Sequence, residues 1–548
     1  MKPVLFPLLA AALAFYVPSV QALSDVALKQ KVEQRLHGDR SGACFAVAVI
    51  DQTVARAIAC ANPAQPRPWT VDTAFEIGSV SKTMNAILLA RLVEQGKLAL
   101  DDTLEQHLPK DSKVPAFDGQ PIRLRHLLSH TSGLPALPSR LKPTNPANPY
   151  AELSIDDLVA SLADIELKQT PGTQWAYSNF AVMLLSHVVA RASGSDYEAL
   201  MQKQLFVPLG MRSSFISRMP AQVQLADGHL GNGLVTSHWS IRGDLAGVGG
   251  VRASLDDMVR YVEAQLGNGP ASMAGAVATT QAEVIAEPKA MAWGWMLAPL
   301  NGQRVHVHEG GTGGFSSFVA FDKERGRGVI VLSDTAMTTM GGLGSLGLHL
   351  LDERVPLGKP RREVAATKKL LDAISGEYRL PTGLKLKLRV KDGVLESQAD
   401  GQPAFLLGHD DADEFFARDF DAVIRTSKRA DGSYALLLLQ GGGALPMTRI
   451  DADTVMRASA PRLDAAQLDE YVGNYTIAPN FSLKVFVDGK VLNAQATGQG
   501  AFALDASAKD AFEAAAFGIE IRFKRDATGK VTGLDLHQGG RVTPAKRQ

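Results

Sequence analysis

The residues in this chain with the clearest chemical potential lie in Phe75-Glu76-Ile77-Gly78-Ser79-Val80-Ser81-Lys82, where a hydroxyl is followed three positions later by an amine. On a helix that spacing puts both on one side, a turn apart. The apolar run continues to Gln95, and Ile87, Leu88, Leu89, Ala90, Leu92 and Val93 cover every face, so the helix is expected to be buried. Gly78 permits a tight entry turn, Ser79 suits the cap or first turn, and Gly96 is a natural stop. A lysine at the start of a buried helix is costly unless it has partners or a task. The reading adopted is that Lys82 activates Ser79 as a nucleophile; the competing one is a helix cap beside a lysine that snorkels to water. A second Ser-x-x-Lys, Ser139-Arg140-Leu141-Lys142, lies between Pro138 and Pro143 with no apolar run behind it, and is set aside.

Two further stretches carry polar groups into positions where loops meet regular structure. Tyr177-Ser178-Asn179 precedes an apolar helix predicted over Phe180 to Ala192. His308-Glu309-Gly310-Gly311 closes a strand and runs into Thr312-Gly313-Gly314-Phe315. Strand alternation puts His306, His308 and Gly310 on one face, and Glu309 with Val305 and Val307 on the other. Histidines 126 and 130, four apart at a helix end, are read as structural hydrogen-bonding groups rather than members of a triad. His229-Leu230-Gly231 and His537-Gln538-Gly539 also fit His-x-Gly, but only His308 opens onto a glycine-rich bend.

In order, spacing and surroundings, Ser79-Val80-Ser81-Lys82, Tyr177-Ser178-Asn179 and His308-Glu309-Gly310 resemble the motifs of the penicillin-recognising serine hydrolases. That group includes class C β-lactamases, D-alanyl-D-alanine carboxypeptidases, D-aminopeptidases and related esterases. The resemblance covers roughly residues 30–350. It implies Ser79 as acyl carrier, Lys82 or Tyr177 as base, and Asn179 hydrogen-bonded to Lys82 and the substrate amide. It also implies substrate contacts from His308, Gly310 and Gly311, with the Ser79 and Gly311 N–H groups as oxyanion donors. The third motif departs from the Lys-Thr-Gly of class C β-lactamases. His308 is charged only conditionally, as a second cation that would add to the lowering of the Lys82 pKa, and Glu309 replaces a threonine that helps hold a carboxylate. Efficient β-lactamase activity is therefore not expected; a peptidase acting on small D-amino-acid-containing substrates fits better. The alternatives are an esterase or weak β-lactamase, and a penicillin-binding sensor of cell-wall peptides with little turnover.

The elements that must position these groups are an α+β arrangement, an antiparallel sheet flanked by helices with an all-helical region. Strands are expected over 43–60 and again over 292–332. Cys44 and Cys60, the two cysteines of the chain, fall on the first two strands, joined by a turn near Asp51 and Gln52. They come roughly opposite each other, either bridged or buried as free thiols. After a basic, proline-containing stretch the sequence repeats: Gly376-Glu377-Tyr378 matches Gly473-Asn474-Tyr475, and Val394 to Ala399 matches Val491 to Ala496. Asp392-Gly393, Asp431-Gly432 and Asp488-Gly489 supply hairpin turns, and two small antiparallel β-barrels follow. Such a tail resembles that of bacterial D-aminopeptidases.

The 548 residues thus divide into a signal peptide (1–22), a hydrolase domain (23–356), a linker (357–369) and barrels over 370–458 and 466–548. Lys2, the apolar run Val4 to Val17 and Val20-Gln21-Ala22 make the leader, so an exported, periplasmic or secreted protein is expected. A formal net charge of zero gives no steering toward nucleic acid, and no later apolar run is long enough to insert stably in a membrane. No His/Asp cluster has metal-ligand spacing, so no metal or cofactor is expected; the partner is a small-molecule or short-peptide substrate.

Overall fold

The structure, a computed structural model, describes residues 23–548 except 40, 146, 287–288, 337–341, 381–383, 401–403, 418–421, 430, 441–442, 451–462, 479–480, 489–490, 498–500, 515–518 and 539–540. The leader expected over 1–22 and the turn at Asp488-Gly489 lie outside, or partly outside, the described residues.

Eight antiparallel strands form the central sheet: β1 (Cys44–Ile50), β2 (Val54–Cys60), β3 (Glu283–Ile285), β4 (Met291–Ala292), β5 (Met296–Leu300), β6 (Gln303–Gly311), β7 (Ser316–Asp322) and β8 (Arg327–Ser333). Their spatial order is β2-β1-β8-β7-β6-β5-β4-β3. The N-terminal hairpin therefore docks beside the last strand of the C-terminal meander. Both faces are covered, which is why β1, β7 and β8 read as nearly unbroken apolar runs. On one face Ala46, Ala48, Val319, Phe321, Ile330 and Leu332 join the core built with the long central helices. On the other, Phe45, Val47, Val305, Phe318, Ala320 and Val331 pack with α1 (Asp25–Leu36) and a helix over Gly344–Leu351.

The serine-bearing segment is a single 3₁₀ turn, Gly78–Val80, running into α2 (Ser81–Glu94), in which eleven of fourteen residues are buried. Gly96, at φ +67°, ends it. A third long helix, α3 (Asn179–Ser193), is capped by Ser178, whose Oγ accepts from the Ala181 N–H at 2.9 Å, and stops at Gly194. Among the described residues no helix is long and apolar enough to cross a membrane.

Of the two readings left open for the cysteines, the bridge is the one found. Cys44 and Cys60 are register partners at the end of the β1/β2 hairpin and form a disulfide. The chain-entropy model assigns such a loop about 3 kcal/mol. We expect the Cys44→Ser/Cys60→Ser double variant to lose about 2–3 kcal/mol in urea unfolding, with wild type in reductant matching it.

The C-terminal third forms two closed eight-stranded antiparallel barrels, spanning Gly376–Arg449 and Gly473–Arg547. The sequence repeat is visible in their anchors: the Tyr378 hydroxyl donates to Ile374 O and the Tyr475 hydroxyl to Tyr471 O, both at 2.7 Å. Each barrel has a separate apolar core.

Candidate active site

The cleft is assembled where α2 begins, between the tip of β6 and the glycine-rich segment 246–251. Gly78 is held at φ +50°, and a Cβ there would stand 2.6 Å from Gly311 N. A Cβ on Gly310 would meet Ile77 O at 2.0 Å and Ser317 Oγ at 2.4 Å. The strand tip thus lies directly on the turn that carries Ser79, an approach only glycine allows. Ser317 Oγ ties the two together by donating to Ile77 O at 2.8 Å. From the other side Ser81 Oγ donates to Gly78 O (2.7 Å) and accepts from the Val251 N–H (3.1 Å).

Three side chains converge on this turn. Lys82 Nζ lies 2.8 Å from Ser79 Oγ and donates to the Val248 carbonyl at 2.7 Å. Tyr177 Oη donates to Ser79 Oγ at 2.9 Å, and Lys82 Nζ stands 5.0 Å from the Tyr177 ring centroid. Lys82 is only 3% exposed, and loss of hydration holds its amine well below its ordinary range. The same burial pushes the Tyr177 phenol upward, against the smaller opposing effect of its bond to Ser79. The phenol and the amine thus both reach the one serine oxygen, and the lowered pKa of Lys82 favours the uncharged amine that can take a proton from it.

His308 is buried, and its Nδ1–H donates to Glu309 O at 2.8 Å, leaving the Nε2 lone pair without a partner among the described residues. Desolvation, then the nearby Lys82, lower its pKa to about 3. The expectation of a second cation that lowers the Lys82 pKa is thereby corrected: His308 is neutral at physiological pH, and desolvation is the cause acting on Lys82. Glu309 faces away, as the alternation predicts, with its carboxylate against Gly344 on the opposite face of the sheet.

Asn179 departs from its expected contact. The hydrogen-bond partners of Lys82 are Ser79 and Val248 O, while Asn179 lies near the Tyr150 phenol, whose pKa burial raises to about 12 against the opposing effect of Asn179. Asn179 begins α3 with its backbone N–H on Ala136 O, so its side chain is directed by the helix start, and Oδ1 is buried without a described partner. His126 and His130 are structural as read: His126 Nδ1 accepts from the Arg123 N–H, and His130 Nδ1 from the Ser178 N–H. His130 also stacks on Tyr177 at 4.4 Å between centroids, fixing the phenol.

Sequence reasoning missed the Val248 carbonyl, Tyr150, and the pair of Trp175 with Lys289, whose Nζ lies 4.2 Å from the indole centroid. A backbone acceptor and partners from separate stretches of the chain leave no local pattern. Trp175, two residues before Tyr177 in a loop, was the one visible signal.

A helix-flanked antiparallel sheet carrying this serine, amine and phenol defines a serine hydrolase. The chain belongs to the β-lactamase family, whose model matches residues 28–343. A model described as a domain of unknown function (DUF3471) matches residues 457–546, the region of the second barrel. Esterase EstB of Burkholderia gladioli is 31% identical over 398 residues, covering 64% of this chain and 97% of the esterase. The D-alanyl-D-alanine-carboxypeptidase/endopeptidase AmpH of Escherichia coli strain K12 is 29% identical over 337 residues, 58% of this chain and 86% of that protein. A solved class C β-lactamase, 22% identical with a TM-score of 0.51 over 60% of this chain and 98% of its own, shares the fold.

Proposed function

We propose that this chain is an exported hydrolase that cleaves small D-amino-acid-containing peptides through an acyl-enzyme on Ser79. The observation that carries the reading is the convergence of Lys82 Nζ at 2.8 Å and Tyr177 Oη at 2.9 Å on one serine oxygen, with the amine kept dry. Ser79 Oγ attacks the carbonyl as its proton passes to Lys82. The Ser79 and Gly311 N–H groups receive the oxyanion, and the proton goes on through Tyr177 to the departing amine. Water then repeats the steps on the ester and frees Ser79. Between Lys82 and Tyr177, the base is Lys82, because burial favours the neutral amine and disfavours a phenolate. Asn179 Oδ1, buried without a partner among the described residues, suits a substrate N–H.

AmpH, named as a carboxypeptidase and endopeptidase, supports the peptide reading. EstB favours a second reading, an esterase, by its longer match. Export is supported by the disulfide and the leader-like first 22 residues. The proposed division into 23–356, 357–369, 370–458 and 466–548 is supported by the separate apolar cores.

The test is product release: D-alanine from a D-alanyl-D-alanine peptide, none from the L-isomer, against hydrolysis of nitrophenyl butyrate. Ester hydrolysis alone selects the esterase, and stable labelling by penicillin without turnover selects a sensor. The pH dependence checks the base. Rate requires Lys82 unprotonated, so kcat/KM rises with pH through the lowered pKa of Lys82 and has already levelled on the alkaline side of it. His308, neutral down to about 3, contributes no limb above that pH. Lys82→Arg, whose guanidinium keeps its proton, loses at least about 10³ in kcat/KM at every pH.

A further inference from the structure

Burial holds the Lys82 amine well below its ordinary range, and the His308 imidazole, with a pKa of about 3, carries no positive charge beside Ser79 at physiological pH. A cation is nevertheless present at the cleft. Lys289, between β3 and β4, holds its Nζ 4.2 Å from the Trp175 ring centroid. Trp175 and Tyr177 are 6.4 Å apart between centroids, and both border His130. The charge of Lys289 is felt at His308 and at His130. Partial burial lowers its pKa from the ordinary lysine value, and the Glu309 carboxylate, which stands against Gly344, opposes that shift. Beneath the ammonium, Trp175 Nε1–H is buried without a described partner, a second donor beside the cation.

Position decides which part of a substrate this pair meets. The proton for the departing group comes through Tyr177, so that group leaves on the Tyr177 side, where Trp175 and Lys289 stand. We propose that Lys289, seated on Trp175, recognises a free carboxylate on the leaving group and so selects substrates that end in a carboxylate over the corresponding amides. This rests on the reading of Ser79 and Tyr177 given above. It supplies from a different strand connection the charge that the third motif lacks at His308. The indole face holds the ammonium in place by a cation–π contact.

The experiment uses the full chain carrying Ser79→Ala, so that ligands bind without reacting, and measures N-acetyl-D-alanyl-D-alanine and its C-terminal carboxamide by calorimetry. The carboxylate form is expected to bind about tenfold tighter at low salt, with the preference shrinking as sodium chloride is added. Adding Lys289→Ala removes the preference by weakening the carboxylate form alone, Lys289→Arg retains most of it, and Lys289→Glu inverts it. Equal affinities for the two ligands, no measurable binding of the carboxylate form, a preference that survives Lys289→Ala, or parallel weakening of both ligands overturns the proposal. Release of D-alanine by the unmodified chain reports separately on the peptidase reading. Release without a carboxylate preference sinks Lys289 alone, and a preference without release sinks the peptidase.

Discussion

Ser79→Ala is expected to lower kcat by roughly 10⁵–10⁶, the loss typical when a serine hydrolase is deprived of its nucleophile. The fold should not change, because the hydroxyl's partners are Lys82 and Tyr177 rather than the backbone that shapes the turn. The turn is held by Ser81, Ser317 and the glycines, all untouched. The check is twofold: kcat on the best substrate, and the mass shift from a fluorophosphonate, which should appear on wild type and vanish in the variant. Lys82→Ala should cost nearly as much, and the double variant little more than either, since a serine and its base act as one unit. Full labelling of Ser79→Ala would place the nucleophile elsewhere.

Gly310→Ala should damage both activity and stability, although it removes no reactive group. The added methyl would stand 2.0 Å from Ile77 O and 2.4 Å from Ser317 Oγ, so the strand tip and the serine turn must separate. A displacement near 1 Å at a reacting centre costs about 10² in rate, and overpacking of this kind costs about 1–3 kcal/mol of stability. Both should be seen, kcat falling at least about a hundredfold in protein that still unfolds cooperatively. Gly243→Ala, where nothing lies within 4 Å of the new methyl, is the control and should change neither. An active Gly310→Ala would mean that the strand tip is not what sets the position of Ser79.

Much of this arrangement is legible in the amino acids because it is local. The Ser79–Lys82 pair is one helical turn, α2 advertises its burial on every face, and the placement of Glu309 follows from the period of a strand. The barrels are written twice, in Gly376-Glu377-Tyr378 and Gly473-Asn474-Tyr475. What could not be read are contacts set by chain crossings. Lys82 meets Val248 across 166 positions, and no spacing rule reaches that far. The expected Asn179–Lys82 bond is absent among the described residues because a motif gives the residue but not its rotamer, which depends on the start of α3. His308 was read as conditionally charged, and the condition is a degree of dryness that only the packed molecule supplies.

The closure of the two C-terminal barrels also bears on how this chain keeps apart from its neighbours. A strand whose N–H and C=O groups are all matched within a ring offers no template to another molecule, so neither barrel presents a free margin for intermolecular pairing. The eight-stranded central sheet has its margins at β2 and β3. At β2 the Arg56 N–H is already taken by Asp25 Oδ1 at 2.8 Å, and β3 is three residues long. Among the described residues of the tail, closure thus leaves neither barrel an open strand along which copies could zip together.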